Sequence, residues 1–432
     1  RASPHFAQSV RAMSLPERIE SKVHKQAAGV VARLLKAHGA KKGGASLKSL
    51  TLAPNIIAKK ATHAICCETL KYLSVIRDII SKTDILNDGQ VSAEMAYVLV
   101  YEVLFGKGCR PVADAEKHVL SYKAALTSAL KRKMMECKVT KAADLLSADV
   151  RLSAKLQSEL PRFVRVNTLK CSVADAILSL KRHEVKVDEH LDDLLVLPPG
   201  TDLHKHPLTR TALVLQGKGS CMPAIALSPP PGWEVIDACA APGNKTTHLA
   251  ARMQGKGKIF AFDADRRRLR RLKDNAQATG ADIIVPKCQD FLTVDPLEYP
   301  NVRAILLDPS CSGSGTAVVR GDILLAATDD TATPEMGTDA DQDRLARLDG
   351  LVQFQEAALR HALSFAAAER VVYSTCSVDQ RENEDVVASC LQEMKKGGWG
   401  LETALPQWPR RGFEGTALGE LGACVVRLDA LQ

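Results

Sequence analysis

Two short stretches, each following an apolar run, carry thiols among hydroxyls and glycines: "DPSCSGSG", Asp308 to Gly315, and "STCS", Ser374 to Ser377. In the first, Pro309 fixes the chain beside Asp308, and Gly313 and Gly315 permit a tight loop around Cys311. In the second, Cys376 stands between Thr375 and Ser377, where a plain strand end more often carries Gly, Asn or Asp. Taken singly, either cysteine reads more simply as a small buried hydrophobe. Delivered together to one crevice, an acid and two thiols suit methylation at carbon 5 of a cytosine. That carbon is a poor nucleophile until a thiolate adds to carbon 6 and makes an enamine. An acid must then hold the N3/N4 edge of the ring, and a base must later remove the C5 proton and release the thiol.

The elements that must position these residues form a strand-then-helix alternation. Apolar runs "WEVIDACA", "KIFAFDAD", "ADIIVP", "RAILLDPS" and "RVVYSTC" read as strands, with helices at about 244–253, 266–279, 344–367 and 380–396. This pattern predicts an α/β fold with a doubly wound parallel sheet, in which loops at the carboxyl ends of strands carry the chemistry. Asp308, Cys311 and Cys376 all fall at such ends. The stretch 316–343, containing "TATPEMGTDADQD", is acidic and Pro/Gly-bearing and is expected to be a mobile insertion.

The first strand of this sheet runs into "DACAAPGNKTTHLA", Asp237 to Ala250. Its small residues let a ligand approach the backbone where strand turns into helix, and the helix N-terminus offers free N–H groups. A lone Gly243 in the turn is not the Gly-x-Gly-x-x-Gly dinucleotide fingerprint, so a nicotinamide cofactor loses ground to another adenosine-bearing one. Asp263 ends the second strand, where an acid suits both ribose hydroxyls, and Asp290 follows the third, where it can accept from an adenine amino group. Each acid alone also reads as a helix cap. In order, they point to S-adenosylmethionine.

Upstream, apolar residues recur at helical spacing in 15–37 and 62–148, as in Cys66-Leu70-Leu73-Ile76-Ile80, and "AHGAKKGGASLKSL" reads as a linker between them. Residues 1–158 therefore form an expected helical domain. It is basic: residues 1–160 hold 26 Lys+Arg against 14 Asp+Glu, a net +12, while the remainder is net −4. That asymmetry suits a nucleic-acid partner, with a solvated Lys-rich surface as the plain alternative. From Pro161, "PRFVRVNTLK" opens a small α/β module over 159–220, and 221–432 makes up the sheet domain. No run reaches the roughly 18 apolar residues of a membrane span. The twelve cysteines lack any Cys-x-x-Cys pair, which favours a reduced intracellular chain without a zinc site. Residues 1–16 carry Arg1, Arg11 and several Ser without an acid, faintly like a transit segment.

Together "DACAAPGNKT", "DPSCSGSG", "YSTCS" and "PRFVRVNTLK" resemble the Sun-domain (Fmu/RsmB-like) RNA cytosine-C5 methyltransferases over about residues 160–390. Ser310, Asn244 and "YEVLFGKG" most resemble the fifth subfamily, the Rcm-type enzymes of large-subunit ribosomal RNA. The resemblance implies a Rossmann-like S-adenosylmethionine-dependent methyltransferase sheet. It implies Cys376 as the nucleophile and Cys311 as the residue assisting product release, an arrangement of RNA rather than DNA enzymes. It also implies a cofactor turn of Cys239, Ala240, Ala241, Pro242, Gly243, Asn244 and Lys245, with Asp263 on the ribose, Asp290 near adenine and Arg268 as a further cofactor-side contact. Asp308 would stand at the junction of cofactor and cytosine, assisted by Lys245. The expected partner is large-subunit rRNA, with no membrane and no metal, for a monomer outside pre-ribosomal particles in the nucleolus or nucleus, or in an organelle if the N-terminus is a transit remnant. Two departures, Gly217 where the subfamily usually has Asp and the C-terminal "PQWPRRGFEG…LGACVVRL" without the usual longer aromatic segment, motivate an alternative: an rRNA-binding assembly factor with weakened catalysis.

Overall fold

The computed structural model describes residues 15–39, 47–316 and 339–428. They form two compact units, one ending at Gln157 and one running from Ser158 onward. Most of the expected transit segment, and residues 317–338 of the expected insertion, lie outside the described residues.

The first unit is all helical: α1 (Leu15–Gly39), α2 (Leu47–Thr51), α3 (Lys59–Lys71), α4 (Leu73–Ser81), α5 (Ala93–Leu104), α6 (Asp114–Ser121), α7 (Lys123–Glu136) and most of α8 (Ala148–Glu159). The helical spacing marks its core, since Cys66, Leu70, Leu73, Ile76 and Ile80 are all buried. Those five span a helix break at Tyr72, which the spacing alone does not reveal. The end of the expected linker folds as α2, with Leu47 and Leu50 buried.

The second unit begins with a four-stranded antiparallel sheet, β1 (Arg162–Val166), β2 (Lys186–Val187), β3 (Leu194–Leu197) and β4 (Leu213–Val214), in the order β2-β3-β1-β4, with α9 (Val173–Ser179) between β1 and β2. Arg165 in β1 and Asn167 just after it are as fully buried as Val164 and Val166. Arg165 donates to Gln216 Oε1 at 2.8 Å and to Thr247 Oγ1 at 3.1 Å, which ties this module to the following domain.

After α10 (Lys218–Leu227) the chain builds a five-stranded parallel sheet from β5 (Glu234–Asp237), β6 (Lys258–Phe262), β7 (Ile284–Lys287), β8 (Val302–Leu307) and β9 (Arg370–Tyr373). The order β7-β6-β5-β8-β9 reverses direction at β5, so a crevice opens between the carboxyl ends of β5 and β8. Strand residues alternate between two cores. Val235, Ile259 and Leu306 pack with α11 (Asn244–Arg252) and α12 (Arg266–Thr279), and Ile236, Phe262 and Ile305 pack with α13 (Asp339–Leu363) and α14 (Glu384–Lys396). Two sequence boundaries need correction. Helix α13 starts at Asp339, inside the stretch expected to be mobile, and residues 380–382 form a separate 3-10 turn ahead of α14.

Candidate active site

The turn leaving β5 is shaped by Gly243, whose φ of +103° is open to glycine, and an added Cβ would lie 3.1 Å from Leu272 Cγ. Behind it, the buried Asp237 accepts the Thr246 hydroxyl at 2.7 Å. Burial pushes the Asp237 carboxyl up to about 7, with the Thr246 hydrogen bond opposing. Lys245, one residue earlier on α11, reaches across the crevice to Asp308 at the end of β8 and donates to its Oδ2 at 2.6 Å. Burial works against the Lys245 charge, but Asp308 and Asp237 outweigh it and hold the ammonium above its ordinary value. The other oxygen of Asp308 accepts from Ser374 Oγ at 2.9 Å, just beyond β9. Three strand ends thus meet at one carboxylate.

The two cysteines arrive beside it. Cys311 Sγ lies 3.2 Å from Cys376 Sγ, although 65 residues separate them. The loops touch through backbone as well, since the Gly315 N–H donates to the Cys376 carbonyl at 3.0 Å. A Cβ on Gly315 would fall 2.9 Å from that oxygen, which explains the glycine. The hydrogen bond to Cys376, reinforced by burial, pushes the Cys311 thiol above its ordinary range.

Glu382 and Asn383 escaped the sequence reading. Buried Glu382 accepts the Ser312 N–H at 2.8 Å, the Ser312 hydroxyl at 2.5 Å and the Gln355 amide at 3.0 Å, holding the Cys311 loop from below. Asn383 accepts from Thr375 Oγ1 at 2.7 Å and donates to the carbonyls of Ser377 and Asp379, holding the Cys376 loop. The only available signal was "RENE" directly after the thiol turn, which reads equally well as a helix start.

The cofactor-side residues form a second group. Cys239, Ala240, Ala241, Pro242, Gly243 and Asn244 line the β5–α11 turn, with Ala240, Ala241 and Gly243 buried. Burial pushes the Cys239 thiol up to about 12, so it stays protonated and inert. Asp263, at the end of β6, accepts the Ala241 N–H at 3.2 Å and the Asp265 N–H at 2.9 Å. Arg268 donates to the Ala241 carbonyl and lies 3.6 Å from Asp263. Asp290 is set apart from this group: it caps a 3-10 turn after β7 by accepting the Leu292 N–H at 3.1 Å, and it remains exposed.

These residues fit an adenosine-bearing cofactor. The buried Asp263 has one N–H on each oxygen and a lone pair to spare on each, which a vicinal diol can fill, beside a backbone turn and a helix N-terminus. Asp290 offers a second exposed acceptor one strand further along.

Comparison with known proteins decides the family. A model described as 16S rRNA methyltransferase RsmB/F matches residues 224–404, one for the NSUN5 N-terminal domain matches 60–146, and one for the NSUN5 ferredoxin-like domain matches 176–216. The chain is 45% identical over 422 residues to the 25S rRNA (cytosine-C(5))-methyltransferase NSUN5 of Arabidopsis thaliana, covering 96% of this chain and 72% of that protein. The chain belongs to the large-subunit rRNA cytosine-C5 methyltransferase family. It is 41% identical to the mouse 28S rRNA (cytosine-C(5))-methyltransferase, covering 85% of this chain and 81% of that one. The Schizosaccharomyces pombe 25S rRNA (cytosine-C(5))-methyltransferase rcm1 shares 34% identity, covering 86% and 81%. The solved structure "Crystal Structure of PH0851" matches with a TM-score of 0.58 at 22% identity, covering 89% of this chain and 91% of that one, and supports the fold. As a member of this family the protein is an S-adenosylmethionine-dependent rRNA cytosine-C5 methyltransferase.

Proposed function

We propose that the protein methylates carbon 5 of a cytosine in large-subunit ribosomal RNA through covalent attack by Cys376. The observation that carries this reading is the 3.2 Å approach of Cys311 and Cys376 from adjacent strand ends, beside the Lys245–Asp308 pair. In the reaction, Cys376 sulfur bonds to C6 and the C5–C6 electron pair moves to C5, which becomes nucleophilic. Asp308, held in place by its hydrogen bond from Lys245, accepts from the exocyclic amino group and fixes the ring edge. The Cys239–Lys245 turn, Asp263, Arg268 and Asp290 would hold S-adenosylmethionine, which would supply the methyl group to C5 and leave as S-adenosylhomocysteine. Loss of the C5 proton to a base then re-forms the double bond and expels the Cys376 thiolate, with Cys311 assisting that release. A target base in structured RNA must be unstacked, at a cost of about a few kcal/mol. The place of action is then the nucleolus or nucleus.

Bisulfite sequencing of large-subunit rRNA incubated with wild-type and Cys376→Ala protein tests the assignment. Methylation is expected only with the wild type, and methylation surviving the substitution overturns Cys376 as nucleophile. Retention of RNA by the wild type with no incorporation from labelled cofactor would replace this reading with that of a non-catalytic assembly factor.

A further inference from the structure

Helix α12 opens "RRRLRRLK", so six of its first eight residues are cations, within a part of the chain that is net acidic. Leu269 and Leu272 face the core, whereas Arg266, Arg267, Arg268, Arg270, Arg271 and Lys273 are all exposed. Arg268 is engaged with the cofactor turn. Among the described residues the other five form no ion pair. Arg266, Arg270 and Lys273, at helical positions i, i+4 and i+7, line a groove of about 520 Å³ together with an edge of Leu269 and with Cys288, beyond edge strand β7.

Local energetics disfavour this arrangement. The first turn of a helix is the positive end of its macrodipole, where carboxylates stabilise and cations destabilise. The pairs Arg266/Arg270 and Arg267/Arg271 also repel at i,i+4. Asp265, the N-cap, accepts the N–H groups of Arg267 and Arg268 and is the only acid in the helix start. Asp265 offsets part of the charge of Arg267 and Arg268, but Arg266, Arg270 and Lys273 gain no ion pair among the described residues, so their repulsion costs the fold stability and contributes nothing to its core. An external polyanion would reverse the sign of that term.

We infer that the Arg266–Arg270–Lys273 groove is a docking surface for the phosphodiester backbone of RNA, set beside the cofactor turn and independent of the basic helical unit. Spaced guanidinium groups with fork geometry match consecutive phosphates, and the edge of a parallel sheet offers an open flank for a duplex. The contact positions RNA and reads no sequence. The inference rests on RNA being the substrate, and the test separates the two.

The test compares the wild type with the triple variant Arg266→Gln, Arg270→Gln, Lys273→Gln in the full chain, leaving Arg268 in place. The probe is a radiolabelled RNA hairpin of defined sequence lacking any methylated site, titrated at several salt concentrations. We expect the variant to lose about tenfold in affinity at 0.1 M salt, and its log K against log salt slope to become shallower by about two to three. Its melting temperature should stay level or rise, which excludes misfolding as the cause. Bound hairpin should also shield Cys288 from maleimide labelling, read by peptide mapping. Unchanged affinity and slope, or Cys288 labelling blocked by polyglutamate but not by the hairpin, would overturn the proposal. Wild type that methylates rRNA alongside a variant with unchanged hairpin affinity removes this surface alone. Hairpin binding that depends on the three cations without methyl transfer leaves this surface standing and removes the catalytic reading.

Discussion

The Glu382 carboxylate accepts both the backbone N–H and the hydroxyl of Ser312, so the segment after β9 grips the loop after β8. The same glutamate's carbonyl accepts from Tyr373 Oη at 2.6 Å, at the end of β9 itself. An acid that touches neither thiol thus helps hold the two loops that carry them together. In Glu382→Gln the charge is lost and an amide nitrogen takes the place of one carboxylate acceptor, so both charge-assisted hydrogen bonds from Ser312 are weakened or reversed. We expect kcat on rRNA to fall by tenfold or more, as for loss of about 1.5–3 kcal/mol of charge-assisted hydrogen bonding. Cofactor affinity by calorimetry should be unchanged. A parallel loss of cofactor binding would show that the effect is general unfolding.

Cys311→Ala removes the residue proposed to assist release while leaving Cys376 and the Lys245–Asp308 pair in place. The covalent adduct should accumulate and appear as a denaturant-resistant shift of the protein with labelled rRNA on a gel. No shift, with normal turnover, would remove Cys311 from the mechanism.

Gly315→Ala tests the loop contact by steric means. Its new methyl would lie 2.9 Å from the Cys376 carbonyl oxygen, closer than such atoms pack, so the loops must part. Methyl transfer should drop by at least tenfold. The fold should survive, since the glycine lies at a loop and not in either core, and a melting curve beside the rate assay separates the two effects.

Asp237 makes a pH prediction. Its carboxyl is pushed up to about 7 by burial, above the ordinary carboxylate value of about 3.8. Between those values the folded state binds more protons than the unfolded one, so this group's contribution to stability falls as pH rises from about 4 to 7 and is constant above. About three pKa units correspond to on the order of 4 kcal/mol. Urea unfolding of wild type and Asp237→Asn across that window should show the slope in the first and its absence in the second.

The C-terminal segment makes the last prediction. Buried Arg427 pairs with buried Glu384, donates to the Val378 carbonyl at 2.8 Å and stacks on Phe413 with its guanidinium carbon 4.0 Å from the ring centroid. The C-terminal segment that motivated the assembly-factor alternative thus buttresses the chain just after Cys376. Arg427→Ala leaves Glu384 buried without its charge partner and should cost about 3–5 kcal/mol. Differential scanning calorimetry reads this directly, and a shift within error of zero would contradict the buttress.

The amino-acid sequence by itself determined the elements and the set of chemical groups. Continuous apolar runs specify the five strands because a sheet covered by helices on both faces buries both sides of each strand, and the parallel sheet follows from the helices between them. Asp308, Cys311 and Cys376 were legible at strand ends because prolines, glycines and hydroxyls mark them, and Asp263 because an acid closes the apolar run "KIFAF". Tertiary structure alone decided distances between residues far apart in the chain. Only the order β7-β6-β5-β8-β9 brings Cys311 to Cys376 and Lys245 to Asp308. Arg165 and Glu382 are the strongest cases. Each reads in one dimension as a solvent-facing charge, and each is fully buried with hydrogen-bond partners from distant elements: Gln216 and Thr247 for Arg165, whose Nη1 is left without one, and Ser312 and Gln355 for Glu382. A pattern of residue types records which groups are polar, whereas burial of a charge depends on where those partners fold to meet it.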